Sequence, residues 1–387
     1  MKKSIAILGS SGSIGRSLLE IIGKKKNFFK IILLTANKNH NLLLKQAKKF
    51  KVNNLIIKNY DSYKILKKKT TNTNINVYQN FNCFNKIFKN KIDYVMSCVT
   101  GIDGLEPTLK IIKFTKKIAI ANKESIICGW NLIKNELKKN KTSFIPVDSE
   151  HFSIWHLSQN LNKESIEKVF ITASGGPLYK YPLNRFKKVK VNQALNHPNW
   201  KMGKKISIDS ATMINKIYEV IEAKNIFEID YSKIDIIIHP KSYIHALIKL
   251  NNGLIKILAH ETTMKIPIFN TIYSNSNEKL NTKKINFKIL NELKFDRVDP
   301  KRYPMKNLLK LLPNKISLFE TIIVTANDTL VELFLDKKIK FDEISKILFK
   351  FIKNEKYAKY KIMSPKTLND IIKLSDYVRF QIKTKSI

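Results

Sequence analysis

Residues 4–15 read Ser-Ile-Ala-Ile-Leu-Gly-Ser-Ser-Gly-Ser-Ile-Gly. The apolar run stops at Gly9, and from Ile14 to Ile22 the apolar spacing becomes helical. A second apolar run follows at 30–35. Strand, glycine-rich turn, helix and strand make a βαβ unit. Strand-like runs recur at 54–57, 93–98, 117–121 and 143–147, so residues 1–150 are expected to form one doubly wound parallel sheet, the α/β Rossmann-like arrangement.

The glycines at 9, 12 and 15 give the spacing G-x-x-G-x-x-G, not the commoner G-x-G-x-x-G. Between a first strand and its helix, such glycines let the backbone approach a pyrophosphate at the helix N-terminus. A plain Gly-Ser turn is the alternative. After the second strand, Ala36-Asn37-Lys38-Asn39 holds no acid. An NAD site places Asp or Glu there for the ribose hydroxyl. A lysine between amides suits a 2′-phosphate and favours NADPH.

Beyond residue 150 the texture changes. Strand-like runs at 167–173, 234–239, 243–250 and 254–260 surround a helix read at 211–224, which predicts an α+β domain with an open sheet over 151–273. A loop at 196–205 carries Trp200 and Met202, either a core plug or a lid. Residues 274–304 read as a connecting segment, and the helical spacing at 325–335 and 344–351 predicts a small C-terminal helical domain over 305–387.

The chain has 387 residues, 71 Lys and Arg against 31 Asp and Glu, and a formal net charge of +40. The lysines are dispersed among Asn and Ile, without aromatic interleaving or a basic tail, so specific nucleic-acid binding is not expected. Cys83, Cys98 and Cys128 form no C-x-x-C pair, which excludes a cysteine zinc site and a disulfide framework. No 18-residue apolar run occurs, so a cytoplasmic enzyme is expected.

Acids are scarce, and two stand together at Asp148 and Glu150 after a strand-like run. If the backbone stays extended, both point to one side and begin an oxygen-rich site for a hard cation. A pair of solvated loop acids is the alternative. A third carboxylate is available at Glu219, on one helical face with Asn215 and Lys216, and Ser210 is read near that helix's start as a candidate cap. Ser174-Gly175-Gly176-Pro177 follows a strand and is a candidate phosphate loop.

These segments resemble the 1-deoxy-D-xylulose 5-phosphate reductoisomerase family. The resemblance rests on GSSGSIG at 9–15, ANKES at 121–125, PVDSEH at 146–151, SGGP at 174–177, HPNWKMGKKISIDSATMINK at 197–216 and IHPKSYIH at 238–245, in that family's order. It implies NADPH-dependent isomerisation and reduction of a sugar phosphate, with one Mg²⁺ or Mn²⁺ per subunit and a homodimer. It implies metal ligation and catalysis by Asp148, Glu150 and Glu219, with Lys123 also catalytic. Substrate contacts are implied for Lys123, Ser149, Glu150, Glu219, Ser174, His197, Ser210, Asn215 and Lys216. Cofactor contacts are implied for Ser11, Gly12, Ser13, Ile14, Asn37, Lys38, Asn39, Asn122, Glu124 and Gly203, and a lid for Trp200 and Met202. Asn37, Leu178, Ile217, residues 261–267 and Asp328 depart from that family's usual pattern. A metal-independent NADP dehydrogenase, which predicts no role for Glu219, and a basic nucleic-acid binder are the rival readings, and the acids at 148, 150 and 219 weigh against the second.

Overall fold

The strand Lys3–Leu8 (β1) is fully buried from Ile5 onward. A strand covered on both faces must be apolar throughout, which is the run the sequence shows. Six strands follow: Phe29–Ala36 (β2), Asn54–Ile57 (β3), Asn76–Tyr78 (β4), Tyr94–Ser97 (β5), Lys117–Ile120 (β6) and Ser143–Pro146 (β7). They pair in parallel in the order β4-β3-β2-β1-β5-β6-β7. The winding reverses at β1, and the crevice beyond its carboxyl end is where open α/β sheets bind ligands. In this sheet the sequence pattern missed the three-residue strand β4.

The computed structural model describes residues 2–273 and 277–385. Met1, residues 274–276 and residues 386–387, which fall in the expected 1–150, 274–304 and 305–387 ranges, lie outside the described residues. Two compact units emerge. The first comprises Met1–Ser125, Leu132–Asp148 and Met264–Asn281, and the second Ile126–Asn131, Ser149–Thr263 and Thr282–Ile387. The chain re-enters the first unit because the helix Lys265–Tyr273 buries Ile268 and Ile272 in the same apolar cluster as Ile5, Ile7 and Leu18. Each fully buried aliphatic side chain there contributes about 1.5–3 kcal/mol.

The second unit holds a mixed open sheet of Ile166–Ala173 (β8), Ile234–Ile238 (β9), Ile244–Leu250 (β10), Ile255–Ala259 (β11) and Asp296–Arg297 (β12). Its order is β11-β10-β8-β9-β12, with β8 and β9 parallel and the other pairings antiparallel. The helices Phe319–Leu335, Phe341–Ile352 and Leu368–Lys385 complete the C-terminal region, and Thr325 and Ser375 join the first to the last through their hydroxyls at 3.0 Å. The architecture is the α/β, α+β and helical combination that the sequence predicts.

Two local expectations fail. The predicted helix at 211–224 is two helices, Lys204–Ala211 and Ile214–Phe227, broken at Met213, whose φ is 71°. A left-handed non-glycine residue costs about 1–2 kcal/mol, so tertiary packing overrides local preference there. Ser210 consequently lies near the end of a helix and does not cap its start. Residues 148–150 are also not extended: β7 stops at Pro146 and the helix Ser149–Leu157 begins three residues later. Asp and Ser are tolerated at helix starts, so the local sequence admits this turn as readily as an extended run.

Candidate active site

In the first unit the loop after β1 is tied down by side chains buried beneath it. Gly9 N–H donates to Thr35 Oγ1 at 2.8 Å. Ser10 Oγ donates to Gln46 Oε1 at 2.8 Å, and Gln46 Nε2 donates to the Ser10 carbonyl at 2.9 Å. Ser11 and Ile14 are half-buried, while Gly12 and Ser13 are exposed. The helix Ser13–Gly23 starts at Gly12 without a side-chain cap, so its first N–H groups face outward as an anion site. A Cβ on Gly15 would fall 2.6 Å from the Gly9 carbonyl oxygen, so only glycine allows this close helix–turn approach.

Asn37, Lys38 and Asn39 are exposed at the end of β2. Asn39 caps the next helix by accepting from Leu42 N–H at 3.0 Å, and the Lys38 carbonyl accepts from Ser62 Oγ at 2.9 Å. The backbone is held, and the Lys38 side chain projects into solvent. Asn122 is different. It is buried, its Oδ1 caps the helix Lys123–Lys139, and its Nδ2 donates to the carbonyls of Val99 and Gly101. Its side chain shapes the loop after β5. Glu124 is buried in the first turn of the same helix.

The acids meet at the start of the helix Ser149–Leu157. Glu150 Oε2 accepts from Ser149 Oγ at 2.6 Å, and Glu150 Oε1 accepts from Lys216 Nζ at 2.8 Å. Lys216 also donates to Glu219 Oε2 at 2.7 Å, and Asn215 Nδ2 donates to Glu219 Oε1 at 2.6 Å. The spacings of three and four along the helix Ile214–Phe227 thus appear as real bonds. Asp148 pairs with Lys123 and is bonded through its peptide to Ser149, so the chain itself sets its place beside Glu150. One oxygen from each of Asp148, Glu150 and Glu219 lies within 4.8 Å of the others. Grouping three largely buried carboxylates is costly unless cations offset them, and Lys123 and Lys216 supply two of three charges.

A second centre forms after β8. Ser174 Oγ and His197 Nε2 lie 2.9 Å apart, and Gly176 N–H donates to Ser174 Oγ at 2.9 Å. His197 Nδ1 accepts from the backbone N–H groups of Asn199 at 3.2 Å and Trp200 at 3.0 Å. With Nδ1 accepting, the proton of a neutral ring sits on Nε2 and is donated to Ser174. Burial, aided by the Lys216 ammonium, holds His197 down at about 4, so the ring is neutral near pH 7. The Ser174 hydroxyl therefore receives two bonds and keeps its own hydrogen to donate. A Cβ on Gly176 would lie 2.7 Å from the Ser210 carbonyl oxygen, so this loop lies directly on the backbone of Ser210.

The loop at 196–203 is irregular and leads into the helix Lys204–Ala211, with exposed Gly203 at its N-cap. Met202 and Trp200 are half-buried. Trp200 meets His245 edge-on at 6.1 Å, and Asn199 Nδ2 donates to the Pro240 carbonyl at 2.6 Å. His245 stacks on His260 at 3.8 Å between ring centres, with its Nδ1 3.8 Å from Glu150 Oε1. Sequence reading gave neither histidine a role. The IHPKSYIH block was the available signal for His245, whereas His260 carried none.

Family models covering three stretches match the chain. They are described as 1-deoxy-D-xylulose 5-phosphate reductoisomerase over 5–129, its C-terminal domain over 144–227, and the DXP reductoisomerase C-terminal domain over 260–381. A 1-deoxy-D-xylulose 5-phosphate reductoisomerase of Pelagibacter ubique is 55% identical over 387 residues, covering 100% of both chains. That of a Wolbachia strain from Culex pipiens is 36% identical over 99% of this chain and 96% of its own. The Zymomonas mobilis enzyme solved with NADPH superposes with a TM-score of 0.88 at 30% identity, over 100% of this chain and 99% of that one. A DOX-P reductoisomerase solved with NADPH, fosmidomycin and magnesium gives 0.91 at 29% identity, over 99% and 98%.

Proposed function

The chain belongs to the 1-deoxy-D-xylulose 5-phosphate reductoisomerase family, and on that premise we propose how its residues divide the reaction. It is an NADPH-dependent oxidoreductase that converts 1-deoxy-D-xylulose 5-phosphate into 2-C-methyl-D-erythritol 4-phosphate for isoprenoid synthesis. The assignment of individual residues rests on one observation above the others, the meeting of Asp148, Glu150 and Glu219.

The three carboxylates fit a hard divalent cation: the donors are all oxygen, and the two lysines paired with them can give way. Asp148, Glu150 and Glu219 would hold Mg²⁺ or Mn²⁺, the magnesium-bound relative supporting the former. Bound there, the ion would polarise the carbonyl and hydroxyl oxygens at which charge develops as the carbon skeleton rearranges. Ser149 and Lys123 bind those same substrate oxygens. Lys123 also holds a proton at Nζ for the alkoxide left when hydride reaches the aldehyde carbon.

The phosphate goes to Ser174, Ser210, Asn215 and Lys216, with His197 fixing the Ser174 hydroxyl. Lys216 then changes partner on substrate binding, from the carboxylates to the phosphate. Trp200 and Met202 cover the substrate and exclude water. The 9–15 turn and the uncapped helix start would hold the pyrophosphate of NADPH, and Asn37, Lys38 and Asn39 its 2′-phosphate. Asn122, Glu124 and Gly203 would also contact the cofactor.

A homodimer is part of the reading. The strand β10 pairs on both sides and offers no free edge. The edge strand β11 exposes Ile255 and Ile257 next to exposed Leu254 and suits a second copy better. No helix among the described residues is long and apolar enough to cross a membrane. The biosynthetic role of the family is our ground for placing the reaction in the cytoplasm. The test is loss of NADPH absorbance with 1-deoxy-D-xylulose 5-phosphate. Oxidation that needs Mg²⁺, stops with EDTA and is absent in Glu150→Gln supports the assignment. Metal-independent oxidation would overturn it.

A further inference from the structure

The phosphate loop is held from a segment that the sequence offered only as a connection. Tyr303 is 1% exposed, and its hydroxyl donates to the Gly175 carbonyl at 2.7 Å, 128 residues away. Next to it, Arg302 Nη1 donates to the carbonyls of Leu178 at 2.8 Å and Tyr181 at 2.7 Å. The Tyr179 hydroxyl donates to Asp296 in the same segment. Residues 296–303 therefore grip the loop at 175–181 at four points.

The Tyr303 bond has a consequence the others lack. The carbonyl it holds belongs to the peptide joining Gly175 to Gly176, and the N–H of that peptide donates to Ser174 Oγ. One peptide plane is thus fixed at both ends, carbonyl by Tyr303 and N–H by Ser174. Gly175 and Gly176 both have positive φ, 83° and 69°, a region that glycine enters and leaves at little cost. Such a pair can rotate its shared peptide, exchanging the direction of N–H and C=O. Rotation here would remove a donor from Ser174 Oγ and turn a carbonyl dipole toward the bound phosphate. It would also free the Ser174 hydroxyl to spend its hydrogen on the loop.

We infer that Tyr303 is a positioning residue for phosphate recognition, acting through the Gly175–Gly176 peptide on the Ser174 hydroxyl. This rests on the reading of Ser174 as a phosphate contact. The full-length enzyme is assayed at saturating NADPH and Mg²⁺ for Ser174→Ala, Tyr303→Phe and the double variant. Tyr303→Phe is expected to raise KM for 1-deoxy-D-xylulose 5-phosphate about three- to tenfold, the weight of one hydrogen bond. The kcat should stay within about twofold and the NADPH Kd should not move. The double variant should match Ser174→Ala, because Tyr303 has nothing left to position. Tyr303→Met, which lacks the hydroxyl but packs differently, should give the same KM change.

If Ser174→Ala raises KM while Tyr303→Phe does not, the inference fails and the phosphate site stands. An unchanged KM in Ser174→Ala would sink the phosphate reading and the inference with it. Additive effects, or failure of both Tyr303 variants to fold, would make Tyr303 a core residue and overturn its positioning role.

Discussion

Lys216 Nζ donates to Glu150 Oε1 at 2.8 Å across 66 residues of sequence. The bond ties the helix Ile214–Phe227 to the helix Ser149–Leu157, and the same ammonium reaches Glu219 Oε2 at 2.7 Å. The ammonium therefore sits between two of the carboxylates proposed for the metal, while the proposed phosphate site also calls on it. Lys216 therefore competes with a metal for Glu150 and Glu219, and a phosphate that draws it away would favour the metal.

Replacing Lys216 by Met should separate these two roles. Without the ammonium the carboxylates keep an uncompensated charge, so the protein in EDTA should lose about 3 kcal/mol of stability. Mn²⁺ should bind more tightly than in the parent, because the ammonium between Glu150 and Glu219 no longer has to leave. The KM for substrate should rise about 10- to 100-fold through loss of a charged hydrogen bond. Weaker Mn²⁺ binding in a calorimetric titration would contradict the competition.

Gly15→Ala should act on the cofactor alone. The added Cβ would sit 2.6 Å from the Gly9 carbonyl oxygen, so helix and turn must separate. Overpacking of this kind costs about 1–3 kcal/mol, and the NADPH Kd should rise on the order of tenfold. Fluorescence titration of NADPH reads this directly. An unchanged Kd would remove the turn from the cofactor site.

Acidity should pull stability in two directions. Burial pushes the Glu320 carboxyl up to about 7, against 4.5 in the unfolded chain, although Ser317 N–H and Oγ both donate to it. A raised folded value means that its stabilising contribution is full below pH 4.5 and lost as pH rises through about 7. His197 is the reverse. Its value of about 4 lies below the ordinary 6.5, so its contribution is present above 6.5 and lost as pH falls through about 4. Glu320→Gln should then gain Tm over the parent by a few degrees, on the order of 1 kcal/mol, as pH rises from about 5 to 8. A Tm difference that is flat with pH would show that Glu320 does not titrate in this range.

Much of this architecture was legible because it is written in local periodicity. The run at 4–8 and the glycines at 9, 12 and 15 announce β1 and its turn. The spacing of Asn215, Lys216 and Glu219 announces a shared helical face, and the bonds among them confirm it. What failed was set by distant packing. Nothing in the types at 211–214 signals the left-handed Met213, and an extended 148–150 was as acceptable locally as the helix that forms. The grip of Tyr303 on Gly175 spans 128 residues and leaves no periodic trace. The return of Ile268 and Ile272 to the first apolar cluster is equally invisible to spacing.

The central claim is that Asp148, Glu150 and Glu219 hold one divalent cation. Mn²⁺ titration followed by electron paramagnetic resonance tests it most directly, with the parent and the Asp148→Asn, Glu150→Gln and Glu219→Gln variants, all without substrate. The account predicts one Mn²⁺ per chain in the parent and weakening by about tenfold or more in each variant, as expected when a ligand is lost. Stoichiometric binding that survives unchanged in all three variants would place the metal elsewhere and contradict the account.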